Sequence, residues 1–184
     1  YFLKETDEEI ISLWQHDKTV LLGRNQDVYT EVDVDFCKEN GLNIVRRLSG
    51  GGTIYCDVNN MQYSFIGHHE DKSTQELFEQ YAEPIVQALR KIGIDAAFTG
   101  RNDIVVDGKK ISGNAQYRYK HRILHHGTLL FDIDTKMLQG AIRTREEKYK
   151  GKGVPSVVSR IGTLSQMTDM DIHAFMDYII GELK

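Results

Sequence analysis

The amino-acid sequence predicts an α+β domain with a mainly antiparallel sheet flanked by helices. Several short β-prone runs are joined by hairpin-type turns, among them Asp107-Gly108, a dipeptide that favours a tight two-residue turn. One long amphipathic helix separates the strands into two groups, and further helical segments follow the second group. This order differs from the regular strand–helix alternation that predicts a parallel, doubly wound sheet.

Length and composition narrow the class of protein. The 184 residues suit one domain with a substantial core, and the net charge of −4 gives no bulk electrostatic reason to expect a nucleic-acid partner. No apolar run is long enough for a membrane span, and no signal peptide is visible. The only cysteines, Cys37 and Cys56, form no disulfide framework. We therefore expect a cytoplasmic protein with neither a membrane nor a nucleic-acid partner.

The first part of the chain predicts two strands and a short helix. Residues 10–15 and 19–23 are β-prone, and the turn at Asp17-Lys18 predicts that the second is the return strand of the first. Residues 28–40 have apolar side chains at roughly helical spacing and end at Asn40-Gly41, a helix stop signal. Tyr1 to Lys4 read as the end of a helix.

The clearest helix begins at Ser73, where Glu76 three residues later completes a capping-box pattern. Its apolar stripe ends at Gly93, and Pro84 inside the stripe is expected to kink or divide the helix. The later predicted elements are strands at 96–99, 104–106, 110–113 with an extension to 119, and 123–131, helices at 135–142 and 165–182, and a mobile loop at 146–153.

A glycine-rich stretch, residues 46–57, lies between predicted strands at 42–45 and 61–66. The three glycines Gly50-Gly51-Gly52 allow positive φ and close approach of the backbone to a ligand, and successive N–H groups in such a turn can bind an anion. Arg46 and Arg47 could grip a phosphate or carboxylate. A hairpin with solvated arginines is an equally good interpretation of this stretch alone. The spacing fits neither a P-loop nor a dinucleotide fingerprint.

Two further clusters carry candidate chemistry. Asn102 and Asp103 offer oxygen ligands for Mg²⁺, and Lys110 follows a tight turn from which it could neutralise phosphate or grip a carbonyl. Solvated turn residues are the commoner interpretation of this cluster by itself. His125 and His126 interrupt an apolar strand, so we expect one to face a pocket and one to face outward.

Read together, these blocks resemble the lipoate–protein ligase family, a branch of the biotin/lipoate attachment enzymes. The resemblance covers residues 13 to about 164 in order, and it rests on Trp14, Gly23-Arg24-Asn25-Gln26, residues 46–55, Asp57, Asn60, Ser64-Phe65, Gly100-Arg101-Asn102-Asp103, residues 110–116, residues 125–130 and Ser156-Val157-Val158-Ser159-Arg160. It implies a biotin/lipoate-ligase-like catalytic domain over residues 1–184, with the first helix clipped and a C-terminal accessory domain absent from this chain.

The resemblance also implies a reaction and its participants. ATP, with Mg²⁺, activates lipoate as lipoyl-AMP, and a lysine of an acceptor domain then takes the lipoyl group. The implied acceptors are lipoyl domains of 2-oxoacid dehydrogenase E2 subunits or the glycine cleavage H protein. Two alternatives remain: an ATP-independent lipoyl or octanoyl transferase acting through a cysteine, and a non-catalytic module that binds lipoyl domains.

The family pattern assigns roles to particular residues of this sequence. Lys110 is the implied catalytic residue, and Asp103 is the candidate Mg²⁺ ligand. The implied nucleotide-binding residues are Arg47, Gly52, Thr53, Ile54, Tyr55, Asn102, Asp103 and Lys110. The implied lipoate-binding residues are Trp14, Arg47, Ser49, Gly51, Gly52, Lys110 and His126. Cys56 departs from the histidine that most family members carry at this position. As a nucleophile it is a minority interpretation, because a lone sheet cysteine is usually a small buried hydrophobe.

Overall fold

A computed structural model of the chain describes residues 1–69, 71–100, 102–143 and 161–184. The strands are β1 (Ile10–Trp14), β2 (Thr19–Leu22), β3 (Asn43–Arg46), β4 (Ile54–Cys56), β5 (Met61–His68), β6 (Ala97–Thr99), β7 (Asp103–Val106), β8 (Lys109–Tyr119) and β9 (Arg122–Leu129). The helices are α1 (Phe2–Glu5), α2 (Val28–Glu31), α3 (Val34–Glu39), α4 (Thr74–Lys91), α5 (Thr135–Ala141) and α6 (Ile172–Glu182), with a 3-10 turn at Leu164–Gln166.

The strands form two sheets. The large sheet has the order β1-β5-β9-β8-β7-β6 and is antiparallel throughout. The small sheet has the order β3-β2-β4, in which β2 is parallel to β3 and antiparallel to β4. The predicted α+β class with a mainly antiparallel sheet is therefore confirmed. The short strand β4, inside the glycine-rich stretch, was not predicted.

The predicted pairing of the first two strands is wrong. Strand β1 pairs with β5, from Ile10 opposite Ile66 to Trp14 opposite Gln62, whereas β2 is the central strand of the small sheet. The intervening turn, with Lys18 at φ 38°, leads from one sheet to the other. The two strands pair with strands later in the chain instead of with each other, so the local hairpin signal does not decide the pairing. Because the chain passes from one sheet to the other at this turn, the small sheet lies beside the large one.

The single helix predicted over residues 28–40 is two helices. Asp27 caps α2 by accepting from the Thr30 N–H at 2.9 Å, and Asp33 caps α3 by accepting from the Phe36 N–H at 2.9 Å. Between them Val32 is fully buried and bridges to Ile142. Two aspartate caps six residues apart specify a second helix start, which apolar periodicity alone did not reveal.

The long helix begins as its sequence predicts. Glu76 N–H donates to Ser73 Oγ at 3.2 Å, and Ser73 N–H donates to Glu76 Oε2 at 2.8 Å, which completes the capping box. Helix α4 continues through Pro84 as one element, so the expected division is absent. The last helix begins at Ile172, where Asp171 caps it, rather than at Ser165, which lies in the 3-10 turn.

Two hydrophobic cores result from this arrangement. The larger core lies between the large sheet and helices α4 and α6, and the smaller core joins the small sheet to α3 and α5. Within the described residues, no helix has the length and apolar character needed to cross a membrane. The predicted loop at 146–153 and the block at 156–160 lie outside the described residues. The cavity described next lies where the two sheets meet.

Candidate active site

A cavity of about 660 Å³ is lined by both sheets and by the loops between them. Its polar wall consists of Arg47, Thr53, Tyr55, Asn102, Asp103, Lys110, Asn114, His126 and Thr128, with glycines 51, 52, 108 and 113. Its apolar wall consists of Ile54, Val105, Ala115, Leu130, Ile133, Leu138, Ile142 and Ile161. One chamber thus offers cationic side chains, backbone donors and an aliphatic surface, which suits a ligand that is anionic at one end and apolar at the other.

Arg47 organises the glycine-rich loop from inside. Its Nε and Nη2 donate to the Gly50 carbonyl at 3.2 and 2.8 Å, Nη2 also donates to the Gly52 carbonyl at 2.7 Å, and Nη1 donates to the Leu21 carbonyl at 3.0 Å. These bonds engage four of the five guanidinium N–H groups. Arg47 therefore fixes the loop to β2, and what it offers a bound anion is mainly its charge.

Arg46 is not among the described residues that line the cavity, and it holds the neighbouring turn. Its Nη1 donates to the carbonyls of Gly23, Arg24 and Gln26 at 2.9, 3.2 and 2.6 Å. The sequence left open whether the two arginines bind an anion or are solvated. Arg47 lines the cavity, where it can face an anion, whereas Arg46 is exposed and holds the backbone of the neighbouring turn.

Among the three consecutive glycines, Gly51 is the one with positive φ, at 96°. A Cβ atom there would lie 2.8 Å from Arg47 Nη2, so the conformation and the guanidinium contact both require glycine. Gly23 packs against the same loop, since its Cβ would lie 2.0 Å from the Gly51 carbonyl oxygen. The loop therefore packs on the end of β2, while its three glycines are exposed to solvent.

Lys110 and Asp103 form an ion pair on the cavity wall, with Nζ 2.7 Å from Oδ1 and both side chains more than a third exposed. Lys110 follows the tight turn at Asp107 and Gly108, which have φ of 49° and 73°. The pairing of β7 with β8 shifts register at this level, and such a bulge re-aims the side chains beside it. The lysine amine passes over Gly113, whose Cβ would lie 2.8 Å from Nζ.

His126 faces the cavity and is uncharged at neutral pH. Burial, followed by the positive charge of Arg47, lowers its pKa to about 4. Its Nε2 lies 2.6 Å from the hydroxyl oxygen of Ser49, a buried residue of the glycine-rich stretch. Ser49 therefore joins that stretch to β9 through this hydrogen bond.

His125 faces a buried core and His126 faces the cavity, so the expectation that one of the two histidines faces outward is wrong. His125 is fully buried, and its ring stacks on Tyr81 and meets Phe78 edge-on, both residues of α4. Burial, followed by the neighbouring His126, lowers the pKa of His125 to about 3. Both faces of β9 are covered, one by α4 and the other by the cavity wall, so alternation along the strand left neither histidine exposed.

Trp14 does not lie on the cavity wall, and its predicted place there needs correction. It ends β1 at the edge of the large sheet, two strands from the cavity residue Thr128, and its indole N–H donates to His16 Nε2 at 3.2 Å. The structure brings together around the cavity Arg47, Gly51, Gly52, Thr53, Ile54, Tyr55, Asn102, Asp103, Lys110 and His126. Arg101 and residues 156–160 lie outside the described residues.

Sequence reasoning missed part of the apolar wall. Leu138 and Ile142, on and after α5, line the cavity together with Ile161 and Val105. The apolar face of the short helix predicted at 135–142 could have indicated this wall, because the sequence offered no other surface for that face to cover. Asn114, part of the block that carried the resemblance, also lines the cavity although no role was assigned to it.

Comparison with known proteins places the chain in a family. Residues 1–184 match the lipoyl protein ligase A/B catalytic domain over their whole length. The chain is 40% identical to lipoate-protein ligase LplJ of Bacillus subtilis over 187 residues, which is 100% of this chain and 56% of LplJ. It is 35% identical to lipoate–protein ligase 1 of Staphylococcus aureus, over 98% of this chain and 56% of that protein. The chain belongs to the lipoyl protein ligase A/B catalytic-domain family and spans about half the length of these relatives.

Solved structures agree with this assignment. An archaeal bipartite lipoate protein ligase, described with its E2 lipoyl domain from Thermoplasma acidophilum, superposes with a TM-score of 0.86 at 30% identity, covering 96% of this chain and 70% of that chain. A lipoate-protein ligase A bound with ATP also gives 0.86 at 27% identity, covering 99% and 75%. The two sheets and their helices are thus the fold of this family.

Replacing Arg47 with lysine should loosen the glycine-rich loop although the charge is kept. A lysine ammonium lacks the planar fork that reaches the carbonyls of Gly50, Gly52 and Leu21 together. We expect amide hydrogen exchange over residues 48–53 to become about 10- to 100-fold faster, as measured by mass spectrometry. The Arg46→Lys variant is the matched control and should change this exchange less. Equal effects of the two substitutions would show that Arg47 does not hold the loop.

Acid should destabilise the fold through the two buried histidines. Their pKa values are near 6.5 in the unfolded chain and lower in the fold, so the unfolded state binds more protons as the pH falls below 6.5. Stability present above pH 6.5 should decline toward pH 5 by about 1.4 kcal/mol per pH unit for each histidine. Urea unfolding at pH 7, 6 and 5 measures this, and the His126→Gln variant should show a shallower decline. The exposed His68→Gln variant, as control, should keep the original slope.

Proposed function

We propose that this chain is the catalytic domain of an ATP-dependent lipoate–protein ligase, which activates lipoate as lipoyl-AMP and transfers it to a lysine of an acceptor domain. The observation that carries the proposal is the cavity itself. It combines the Arg47-held glycine loop and Lys110 with an aliphatic wall, as an acyl-adenylate requires. The names of the relatives and of the neighbour bound with ATP support it.

In the first step a lipoate carboxylate oxygen bonds to the α-phosphorus of ATP while the bond to pyrophosphate breaks. Negative charge grows on the phosphoryl oxygens, and the Lys110 ammonium and the Arg47 guanidinium lie on the wall where they can stabilise it. Arg47 is already fixed by the loop carbonyls, so its charge needs little rearrangement during the reaction. This pre-organisation is the main contribution of the glycine-rich stretch.

Lys110 changes partner when the ligand binds. Its ion pair with Asp103 is partly exposed, and pairs of this kind contribute about 1 kcal/mol or less, so exchange for a phosphate or an acyl carbonyl costs little. Release of Lys110 also frees the Asp103 carboxylate. A divalent cation fits there, since Mg²⁺ commonly takes one or two protein carboxylates and completes its shell with phosphates and water. Mg²⁺ would neutralise phosphate charge when bound.

The acyl chain is assigned to the aliphatic wall. Leu138, Ile142 and Ile161 offer a surface on which an unbranched chain loses contact with water. Neutral His126 suits this environment better than a charged imidazolium would, because burying a charge beside an acyl chain is costly.

In the second step the uncharged amine of an acceptor lysine attacks the acyl carbonyl. The amide bond forms, the bond from the carbonyl carbon to the AMP oxygen breaks, and the amine loses a proton to solvent. We propose lipoyl domains of E2 subunits as acceptors, supported by the neighbour described with an E2 lipoyl domain. The glycine cleavage H protein remains a prediction of the family resemblance, and a cytoplasmic location remains a prediction of the composition.

The cysteine-dependent transferase has less support. Cys56 is fully buried and is not among the described residues of the cavity wall. Burial, followed by the charge of Asp57, raises the pKa of its thiol to about 12, which disfavours the nucleophilic thiolate. The small buried hydrophobe is the better description of this residue.

Pyrophosphate exchange with lipoate and Mg·ATP tests the adenylation step. We expect exchange by the intact, full-length protein and a loss of about 100-fold or more in the Lys110→Ala variant. Lys109→Ala is the matched control, because that neighbouring lysine is exposed and lies off the cavity wall. Absence of exchange by the folded wild-type protein would overturn the proposal.

Mass spectrometry of an acceptor domain separates the alternatives. The ligase should add one lipoyl mass only when ATP is present. Modification from a lipoylated or octanoylated carrier without ATP, lost in Cys56→Ser, would instead establish the transferase. Binding of the acceptor domain with no added mass would identify a docking module.

A further inference from the structure

The buried amide of Asn114 uses all of its hydrogen-bonding capacity. Its Oδ1 accepts from the Tyr63 hydroxyl and from His125 Nε2, the latter at 3.0 Å. Its Nδ2 donates to the Asn102 carbonyl at 3.2 Å and to the Ser112 hydroxyl at 3.4 Å. Asn114 is only 4% exposed, although part of the residue lines the cavity. A network satisfied in this way allows few alternative arrangements.

The Tyr63 hydroxyl and the His125 ring fix the orientation of the Asn114 amide. Gln116 Nε2 donates to His125 Nδ1 at 3.1 Å, so in the neutral ring Nε2 carries the hydrogen and donates to Asn114 Oδ1. A reversed amide would turn its NH₂ group toward two donors and its oxygen toward the Asn102 carbonyl. Tyr63 and His125 therefore keep Nδ2 directed at Asn102.

Asn114 and Asn102 are joined by three hydrogen bonds. Besides the amide bond, Asn114 N–H donates to the Asn102 carbonyl at 2.8 Å, and Asn102 Nδ2 donates to the Asn114 carbonyl at 2.7 Å. Asn102 immediately precedes Asp103, whose carboxylate holds the Lys110 amine. The Asn114 side chain thus binds the residue that directly precedes Asp103, a member of the ion pair on the cavity wall.

We propose that Asn114 is a positioning residue that holds Asn102 and Asp103 at the cavity wall, and that buried Tyr63 and His125 act on the site through its amide. We call the three hydrogen bonds between Asn114 and Asn102 the clamp. The proposal rests on the proposed function and deepens it, because it assigns the clamp to the nucleotide side of the cavity. The acyl side, with His126 and α5, makes no hydrogen bond to this amide among the described residues. Loss of the clamp should therefore affect ATP more than lipoate.

The Asn114→Asp variant tests the clamp with almost no change in size. An aspartate can still accept from Tyr63 and His125, but its second oxygen would face the Asn102 carbonyl oxygen where a donor stood. We expect the Kd for ATP, measured by calorimetry on the full-length protein, to rise about tenfold. The Kd for lipoate should stay within about twofold, and amide hydrogen exchange over residues 102–106 should become faster.

Asn40→Asp is the matched control. Asn40 Nδ2 also donates to a backbone carbonyl, that of Phe36 at 2.9 Å, but it does so at the end of α3 and off the cavity wall. This variant should leave both Kd values within about twofold and exchange over 102–106 unchanged. If Asn114→Asp does not fold, Asn114→Ala should give the same difference between ATP and lipoate.

Two results would overturn the assignment: unchanged exchange over 102–106 in the folded Asn114 variant, or parallel losses of ATP and lipoate affinity. A wild-type protein that binds no ATP would refute the proposed function instead. In that case the exchange measurement on residues 102–106 would still decide whether Asn114 holds them.

Discussion

The hydrogen bonds from the Arg47 guanidinium to the carbonyls of Gly50, Gly52 and Leu21 are the constraint on which the site depends. Hydrogen bonds from a charged donor contribute about 1.5–3 kcal/mol each, and these join the glycine-rich loop to the central strand of the small sheet. Gly51 must take positive φ for the loop to accept them. The same bonds hold the arginine charge at the cavity wall. One side chain therefore both fixes the loop that forms this wall and gives the wall a positive charge.

Lys110 contributes the second positive charge of the polar wall. Strand β8 carries it past a tight turn and a bulge, and its amine pairs with Asp103. His126 lines the same wall, and burial and the charge of Arg47 keep it neutral. The cavity therefore has its cations directly after β3 and on β8, and much of its aliphatic surface between the end of β9 and the end of α5, at Leu130, Ile133, Leu138 and Ile142. An anhydride of a fatty acid and a nucleotide requires this separation of charge from apolar surface.

Features that are encoded locally predicted the class of fold, and the family resemblance assigned ten of the 21 residues that line the cavity. The capping box at Ser73, the turn at Asp107-Gly108 and the glycine run each specify their own geometry over a few residues. The errors arose where distant contacts decide. Strand β1 pairs with β5 rather than β2, and α4 covers the face of β9 that carries His125, so neither of the two adjacent histidines faces outward as expected. The apolar wall from α5 was missed because periodicity reveals an apolar face but not what the face covers.

A crystal structure of the full-length protein with a non-hydrolysable sulfamoyl analogue of lipoyl-AMP would show whether the cavity binds the acyl-adenylate. We expect the analogue to occupy the cavity between the glycine-rich loop and β8, with its acyl chain on Leu138 and Ile142. The Lys110 amine should move from Asp103 to the linkage between acyl group and nucleotide, while the Arg47 contacts to the loop carbonyls persist. An analogue bound elsewhere, or a Lys110 amine still paired with Asp103 in the complex, would contradict this expectation.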